Sequence, residues 1–599
     1  MAEASRIDTR SVLEWKIGGE QGEGIDSCGD VLATVVTRMG YYAYGYKWFS
    51  SRIKGGHTNY KVRIGTTPMR SASPELHVLV ALDQTSIDIE SKELVPGGIV
   101  IADAQFRPAL PAGRTDIHLV TVPLTQIAKT AGGILYRNMA ALGSTAALLN
   151  LPLAAFHDYV AQKFGRKGEA VVAQNRAALE QAFEYAKREL GTASPFRLLH
   201  PSRPKAGMER LLMTGNDAIA LGAVAAGCRF FAGYPITPAT SVMETLVELF
   251  PKIGGVVVQA EDEIAAITMV NGAAYAGARA MTATSGPGLS LMQEGLGLAS
   301  TAELPLVVVD CQRSGPSTGM PTKNEQSDIL ALIYGGHGES PRIVIAPSSP
   351  EEAFLDTQAA FNLADRLQCP IIIASDLGLA EWKYTVDPED LPLDAVPVDR
   401  GRIASAEALA DVPSGKFPRY EFTPDGVSLR SLPGMPHGQY LATGSEHNRF
   451  GKVSEDPKNR AEMMAKRWRK MELVDFTPYT IEGRSDGDLA IVAFGSSYGA
   501  VSAATAALND AGIRTRHIHV RLLSPFPAEA LEEALRGASQ VLVVEANATG
   551  QLESLMRMND AVNSSLVHSL RKYDGTLFEP EEIVEAAREL VPAREEAVS

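Results

Sequence analysis

The chain has 599 residues, with 56 Lys and Arg against 71 Asp and Glu and a formal charge of −15. At about 100–200 residues per domain, this length predicts roughly three to five domains. A composition of 45% hydrophobic and 21% charged residues excludes wholesale disorder, and net acidity disfavours nonspecific nucleic-acid binding, which needs a basic surface. The longest apolar runs, such as HVLVAL and LPLVVV, are strand-length, far short of the roughly 20 residues that span a bilayer. Four cysteines, Cys28, Cys228, Cys311 and Cys369, are far apart and form no CxxC pair. Neither a disulfide framework nor a sequence-local zinc or iron–sulfur site follows from them. The N-terminal stretch lacks a basic n-region and a long apolar run, so a cytoplasmic protein with no membrane association is expected.

In chain order, Val12–Ile17 reads as a strand, GGEQGEGI as its turn and CGDVLATVVTRMG as a helix. In that helix Val31, Leu32, Val35, Val36 and Met39 recur at helical spacing. Strands HVLVAL, GGIVIAD and IHLVTVP then alternate with helices, the mark of a parallel α/β sheet. This predicts a first domain over 1–190. Residues 191–207 carry three prolines and no period, so a linker is expected there. A second α/β domain, 208–382, contains the strands GCRFFAGYP, GGVVVQA, ARAMTATSG, LPLVVVD, PRIVIAP and CPIIIASD. Residues 383–478, rich in Pro, Gly and Asp and then basic, read as a long connection of functional or partner-facing character. A third α/β domain, 479–599, includes LAIVAFG, IRTRHIHVRLL and QVLVVEAN.

Among the motifs, GGEQGEGI places Gly18, Gly19, Gly22 and Gly24 between a strand and a helix. Two readings stand there, a phosphate cradle at a helix N-terminus and a tight turn. GPSTG at 315–319 fits the G-x-S-x-G nucleophile pattern in letters. However, strand LPLVVVD ends seven residues before Ser317 and Pro321 follows within four, which excludes the strand–turn–helix setting of a serine hydrolase. Three segments of the second domain fall at successive strand ends. Tyr234-Pro235-Ile236-Thr237-Pro238 holds Thr237 between two rigid prolines. AEDE, residues 260–263, puts carboxylates where α/β sheets position chemistry. CQRSGPSTGMPT presents Arg313 and Thr318. A helix cap, a solvated first-turn acid and a surface charge are the alternatives for Thr237, Glu263 and Arg313 taken singly; their convergence argues for a site.

YPITPAT, AEDEIAA…NGAAYAGARAMTATSGPG and QRSGPSTGMPT resemble the α subunit of the 2-oxoacid:ferredoxin oxidoreductases, most closely the 2-oxoglutarate type with the γ domain fused in front. GGEQGEGI and WFSSRIKGGHTNYKVRIG resemble the γ domain; GSEHNRFG, LAIVAFGSSYG, VVEANATGQLESLMR and KYDGTLFEPEEI resemble the transketolase-like C-terminal domain. The resemblance implies three α/β domains: γ, thiamine-diphosphate pyrimidine-binding and transketolase C-terminal-like. It implies decarboxylation of a 2-oxoacid, acyl transfer to coenzyme A and reduction of ferredoxin. Glu263 would take the carboxyl role at the aminopyrimidine, in a water-poor cleft, with Glu261 its rival. Tyr234, Pro235 and Ile236 would line the cofactor. Arg313, Thr237 and Thr318 would hold the substrate, with Lys323 or Arg279 as a second cation for a dicarboxylate. Arg52, Lys54, His57 and Lys61 would meet coenzyme A phosphates or form a solvated basic edge. The chain lacks the GDG pattern that holds Mg²⁺ and any cysteine cluster for a [4Fe–4S] centre. These are expected in a separate β subunit, in an (αβ)₂ assembly, so no metal ligand is assigned to this chain. Pyruvate, branched-chain or aryl-pyruvate substrates, or a non-catalytic coenzyme-A-binding scaffold, are the alternatives.

Overall fold

The computed structural model describes residues 8–49, 55–190, 196–201 and 208–591. Arg52, Lys54 and, within the expected linker, residues 191–195 and 202–207 lie outside the described residues. The fold is α/β throughout, and the chain divides into two compact units, Met1–Met213 with Trp382–Asp390, and Thr214–Glu381 with Leu391–Ser599.

The first unit is built on a mixed eight-stranded sheet. Strand Val12–Glu20 pairs parallel with Leu76–Ala81, which continues through Leu94–Asp103 to His118–Val122. On its other side it pairs antiparallel with His57–Gly65, followed by Tyr42–Trp48. Every residue of Leu76–Ala81 is buried, because helices on both faces leave no solvated side. The sheet is completed by Lys383–Val386, paired with Tyr42–Trp48 and with Leu211–Met213. The expected long connection thus begins as a strand of this unit. Tyr42 donates to Asp387 Oδ2 (2.5 Å), Arg210 Nε donates to Asp387 Oδ1 (2.8 Å), and Thr37 and Thr385 share a hydrogen bond of 2.7 Å. The KYTV segment carries the aromatic and β-branched residues suited to a half-buried strand.

The two phosphate-binding expectations in this unit meet different surroundings. In the glycine turn, Glu23 Oε2 accepts from the Glu20 amide (3.1 Å) and its Oε1 pairs with Arg137 (2.6 Å). The chain's own carboxylate therefore fills the turn. Of the basic cluster, His57 Nε2 lies 2.5 Å from Glu90 Oε1, while Lys61, fully buried, donates to the Ser73 carbonyl (2.6 Å) and Glu93 (3.0 Å). A buried ammonium neutralised by an internal carboxylate is not a basic edge awaiting phosphate, and the His57 ring is already engaged by Glu90, which corrects the expectation for these two residues.

The second unit carries two sheets. The seven-stranded one runs Val256–Gln259, Phe230–Gly233, Ala280–Thr284, Leu306–Gln312, Pro370–Asp376, Ile343–Ile345, all parallel, and ends on the antiparallel Leu522–Ser524. Its central strands Leu306–Gln312 and Pro370–Asp376 are buried at every position. The five-stranded sheet runs Tyr479–Gly483, Thr515–Val520, Leu489–Ala493, Gln540–Glu545, Val567–Arg571, with only the first strand antiparallel. One apolar core, including Ile267, Met292, Val308, Val492, Ile518 and Val543, spans both.

Residues 391–478 are bound to this core. Helix Pro457–Arg469 delivers Lys466, whose Nζ donates to both carboxylate oxygens of the fully buried Glu303 (2.6 and 2.8 Å). Lys470 pairs with the same carboxylate, and Arg419 Nη2 donates to the Glu303 carbonyl (2.8 Å). The two ammonium groups hold Glu303 well below the usual carboxylate range despite its burial.

Candidate active site

In a parallel sheet the C-terminal strand ends share one edge, where loops of different sequence origin converge. Four neighbouring strands of the seven-stranded sheet, Val256–Gln259, Phe230–Gly233, Ala280–Thr284 and Leu306–Gln312, end in AEDE, YPITP, SGPG and RSGPSTG. The residues expected at the cofactor and the substrate, the second cation aside, leave three of these four ends.

Glu263 and Glu261 part company here. Asp262, extended at φ −155°, caps helix Glu263–Tyr275 by accepting from the Ala265 amide (2.7 Å). That cap turns Glu263 inward as the first helical residue, only 6% exposed, while Glu261 faces solvent. The Glu263 side chain lies over Gly288 at the head of the neighbouring helix Gly286–Thr301. A Cβ on Gly288 would stand 2.7 Å from Glu263 Oε1 and 2.1 Å from Thr284 Oγ1. Gly288 is required by this close approach, and no described residue hydrogen-bonds the Glu263 carboxylate.

Arg313 joins two loops. Its Nη1 donates to the Thr237 carbonyl (2.6 Å) and its Nη2 lies 3.5 Å from the Thr318 carbonyl, while Nε has no partner among the described residues. The guanidinium is buried, which lowers its pKa against the opposing pull of Asp328. The three residues expected to hold substrate thus meet, but Thr237 and Thr318 offer Arg313 their carbonyls. Thr237, Thr318 and Tyr234 are exposed; Pro235 and Ile236 are half-buried. Asn216 anchors YPITP from below, donating to the Pro238 carbonyl and to Ser241 Oγ, both at 2.8 Å. Ser317 sits at φ +57° on an exposed turn, with the next helix, Ile329–Tyr334, far along the chain.

The second-cation expectation divides. Arg279 is buried at the opposite end of its strand: Nε donates to Asp365 (2.8 Å), Nη1 to the Ala226 carbonyl (2.5 Å), Nη2 to Asn362 (2.8 Å) and the Asp399 carbonyl (2.6 Å). It cannot reach a substrate at the other edge, so that role is withdrawn. Lys323 stays with the site loop, its carbonyl accepting from the Ser314 amide (3.0 Å). Burial pushes its ammonium down to about 8.

Sequence reasoning missed an acidic pair, Asp310 and Asp328, at this edge of the sheet. Asp310 stands in register with Thr284, fully buried, with both carboxylate oxygens unpartnered. Asp328 takes its backbone bond to Gln312 Oε1 (3.0 Å) and lies against Gly286, where a Cβ would stand 2.6 Å from its Oδ2. Nothing local in the sequence marks either acid, since Asp310 reads as a strand end and Asp328 as a helix cap. Among the described residues no group of three or more His, Cys, Asp or Glu has metal-binding geometry, and no helix is long and apolar enough to cross a membrane.

The family model described as "Pyruvate flavodoxin/ferredoxin oxidoreductase, thiamine diP-bdg" matches residues 221–466, which contain the four loops. "Pyruvate ferredoxin/flavodoxin oxidoreductase" matches 14–185, and "Pyruvate:ferredoxin oxidoreductase core domain II" matches 487–583. The chain is 34% identical to 2-oxoacid:ferredoxin oxidoreductase 2, subunit alpha, of Aeropyrum pernix, over 97% of this chain and 98% of that one. It is 30% identical to the 2-oxoglutarate oxidoreductase subunit KorA of Mycobacterium tuberculosis, over 95% and 90%. The solved 2-oxoglutarate:ferredoxin oxidoreductase of Magnetococcus marinus, with 2-oxoglutarate, coenzyme A and succinyl-CoA bound, superposes with a TM-score of 0.88 at 35% identity, covering 97% of this chain and 100% of that one. At 30–35% identity over nearly the full length of these relatives, the chain belongs to the 2-oxoacid:ferredoxin oxidoreductase α-subunit family.

Proposed function

We propose that this chain is the α subunit of a 2-oxoglutarate:ferredoxin oxidoreductase, converting 2-oxoglutarate and coenzyme A to succinyl-CoA and CO₂ with reduction of ferredoxin, or running the reverse. The observation that carries the reading is Glu263: a buried carboxylate without a hydrogen-bond partner among the described residues, packed against the bare backbone of Gly288 at the edge where the other candidate residues gather. Such a carboxylate fits the aminopyrimidine end of thiamine diphosphate, with Tyr234, Pro235 and Ile236 beside it. When bound, that cofactor supplies the electron sink for decarboxylation. Glu263 holds a proton at the aminopyrimidine N1′ and so selects the reactive tautomer. Arg313 binds the 2-oxoacid carboxylate, which a guanidinium matches with two parallel bonds. Lys323, on the adjoining turn, would take the second carboxylate of 2-oxoglutarate, and the 2-oxoglutarate bound in the solved relative at 35% identity supports a dicarboxylate over pyruvate or its branched-chain and aryl relatives.

The remaining parts come from a β subunit carrying the diphosphate-binding domain, Mg²⁺ and a [4Fe–4S] cluster, in an (αβ)₂ complex that reduces ferredoxin in the cytoplasm. Helix Glu263–Tyr275 supports a docked partner. It is apolar on nearly all sides, yet leaves Ile264 54% and Met269 40% exposed, and Gly272 has nothing within 4 Å of a built Cβ. Leu291 on the neighbouring helix is 50% exposed. Apolar surface of this kind marks an interface.

The test is viologen reduction by the chain alone and reconstituted with its β partner, with coenzyme A and a panel of 2-oxoacids. Activity in the complex alone, highest on 2-oxoglutarate, is expected. Preference for pyruvate or a bulkier acid would overturn the substrate, and no activity from an intact, thiamine-loaded, cluster-containing complex would overturn the reading.

A further inference from the structure

In α/β folds the C-terminal ends of parallel strands are where ligands bind. The five-stranded sheet has such an edge of its own, and the chain itself occupies it. Its parallel strands Leu489–Ala493, Gln540–Glu545 and Val567–Arg571 lead into segments that close on residues 324–327. Those residues are the return limb of the RSGPSTG loop, which leaves strand Leu306–Gln312 and carries Arg313, Thr318 and Lys323.

Gln326 is the centre of this contact. It is fully buried, and both ends of its amide are satisfied. Oε1 accepts from the Ala546 amide and from Ser497 Oγ, each at 3.1 Å, while Nε2 donates to Asp376 Oδ2 (2.8 Å) and the Phe494 carbonyl (3.0 Å). Its backbone is held as well, the amide donating to the Ala546 carbonyl (2.7 Å) and the carbonyl accepting from Asn547 Nδ2 (3.1 Å). A side-chain amide presents two N–H donors beside a carbonyl that accepts twice, which is what this place demands. Asp376 ends strand Pro370–Asp376 of the seven-stranded sheet, so Gln326 ties one sheet to two strand ends of the other.

Two contacts flank it. The Asn324 amide donates to the Gly575 carbonyl (3.2 Å), and a Cβ on Gly575, whose φ is +83°, would stand 2.7 Å from Lys323 Cβ. Gln551 Nε2 donates to the Ser327 carbonyl (2.6 Å). The loop between closes on itself, through the Ser314 amide to the Lys323 carbonyl and the Met320 amide to the Ser314 carbonyl, both at 3.0 Å. One foot of the loop is therefore a strand end of the seven-stranded sheet, and the other is the grip on Gln326.

We propose that Gln326 is a positioning residue for the substrate: by filling the strand-end edge of the five-stranded sheet, it sets the place of Thr318 and Lys323 before the 2-oxoacid arrives. This rests on the function proposed above and gives the five-stranded sheet a part in substrate binding. A loop held at both feet is ordered in advance, so binding need not order it.

The experiment uses the reconstituted αβ complex carrying Gln326→Glu. A glutamic acid keeps the shape and, protonated, donates to Asp376; ionised, it sets a second carboxylate against Asp376. Burial and Asp376 both raise the pKa of the new carboxyl, so the grip is present at low pH and is lost as pH rises through that value. For the 2-oxoacid that the wild-type complex turns over best, the ratio of variant to wild-type KM should climb from about one near pH 6 to about tenfold near pH 9. KM for coenzyme A and thiamine content should not change. Hydrogen exchange at the Ser314, Met320 and Lys323 amides should quicken with the same pH dependence relative to wild type, with strand Leu489–Ala493 unaffected. A lowered Tm with the KM ratio and relative exchange flat across pH would overturn the inference, leaving Gln326 a tie between sheets. If Gln326→Glu does not assemble, Ser497→Ala decides. Loss of that one donor should still quicken exchange at the three loop amides by about 2–10-fold, and wild-type exchange would overturn the inference. The exchange needs no substrate, so a wild-type complex that turns over no 2-oxoacid would overturn the proposed function separately.

Discussion

At the scale of single residues, the site depends on bare backbone as much as on side chains. Gly288 lies under Glu263 so closely that an added methyl would overlap both that carboxylate and Thr284. Gly288→Ala should therefore cost about 1–3 kcal/mol through overpacking and displace Glu263. The expected result is a lowered Tm and reduced turnover in a complex that still assembles; unchanged turnover would mean that the close approach is unimportant. Arg313 makes a different demand. A lysine there cannot present a planar fork to a carboxylate, so Arg313→Lys should raise KM for the 2-oxoacid by about 10–150-fold, the worth of one charged hydrogen bond. Steady-state kinetics against 2-oxoacid concentration read this directly, and a fall in kcat with KM unchanged would place Arg313 outside substrate binding.

At the scale of elements, residues 391–478 are a strap locked by one buried ionic knot. Glu303 accepts from Lys466 and Lys470, more than 160 positions along the chain by sequence separation. Glu303→Gln would leave two buried ammonium groups opposed by a neutral amide, which should destabilise by about 3–5 kcal/mol. A guanidinium titration should show a clear fall in the unfolding midpoint, and an unchanged midpoint would contradict the knot. This element also shows what a sequence can tell. The strands and the Pro-framed YPITP turn depend on neighbours a few residues away, so they were readable. Arg279, 86 positions from Asp365, looked as free as Arg313. Asp310 and Asp328 look like an ordinary strand end and an ordinary cap, and only the folded sheet brings the two acids together. The strand Lys383–Val386 was hidden for the same reason, since its partner Tyr42–Trp48 lies some 340 residues earlier.

At the scale of the whole molecule, the proposed function requires a second subunit to complete the active site. The exposed apolar residues Ile264, Met269 and Leu291 lie on the two helices that begin beside Glu263, so the missing half should close over the same edge. Ile264→Glu should weaken association with the β subunit while leaving the isolated chain folded. Size-exclusion chromatography and circular dichroism test this, and a complex that forms as readily as wild type would move the interface elsewhere. The most direct measurement of the central claim is turnover of the reconstituted complex carrying Glu263→Gln, with assembly and thiamine content verified. Glutamine keeps the shape but cannot hold or release the proton, so viologen reduction should fall by about 10²–10⁴-fold. Wild-type turnover in an intact, cofactor-loaded Glu263→Gln complex would contradict the account.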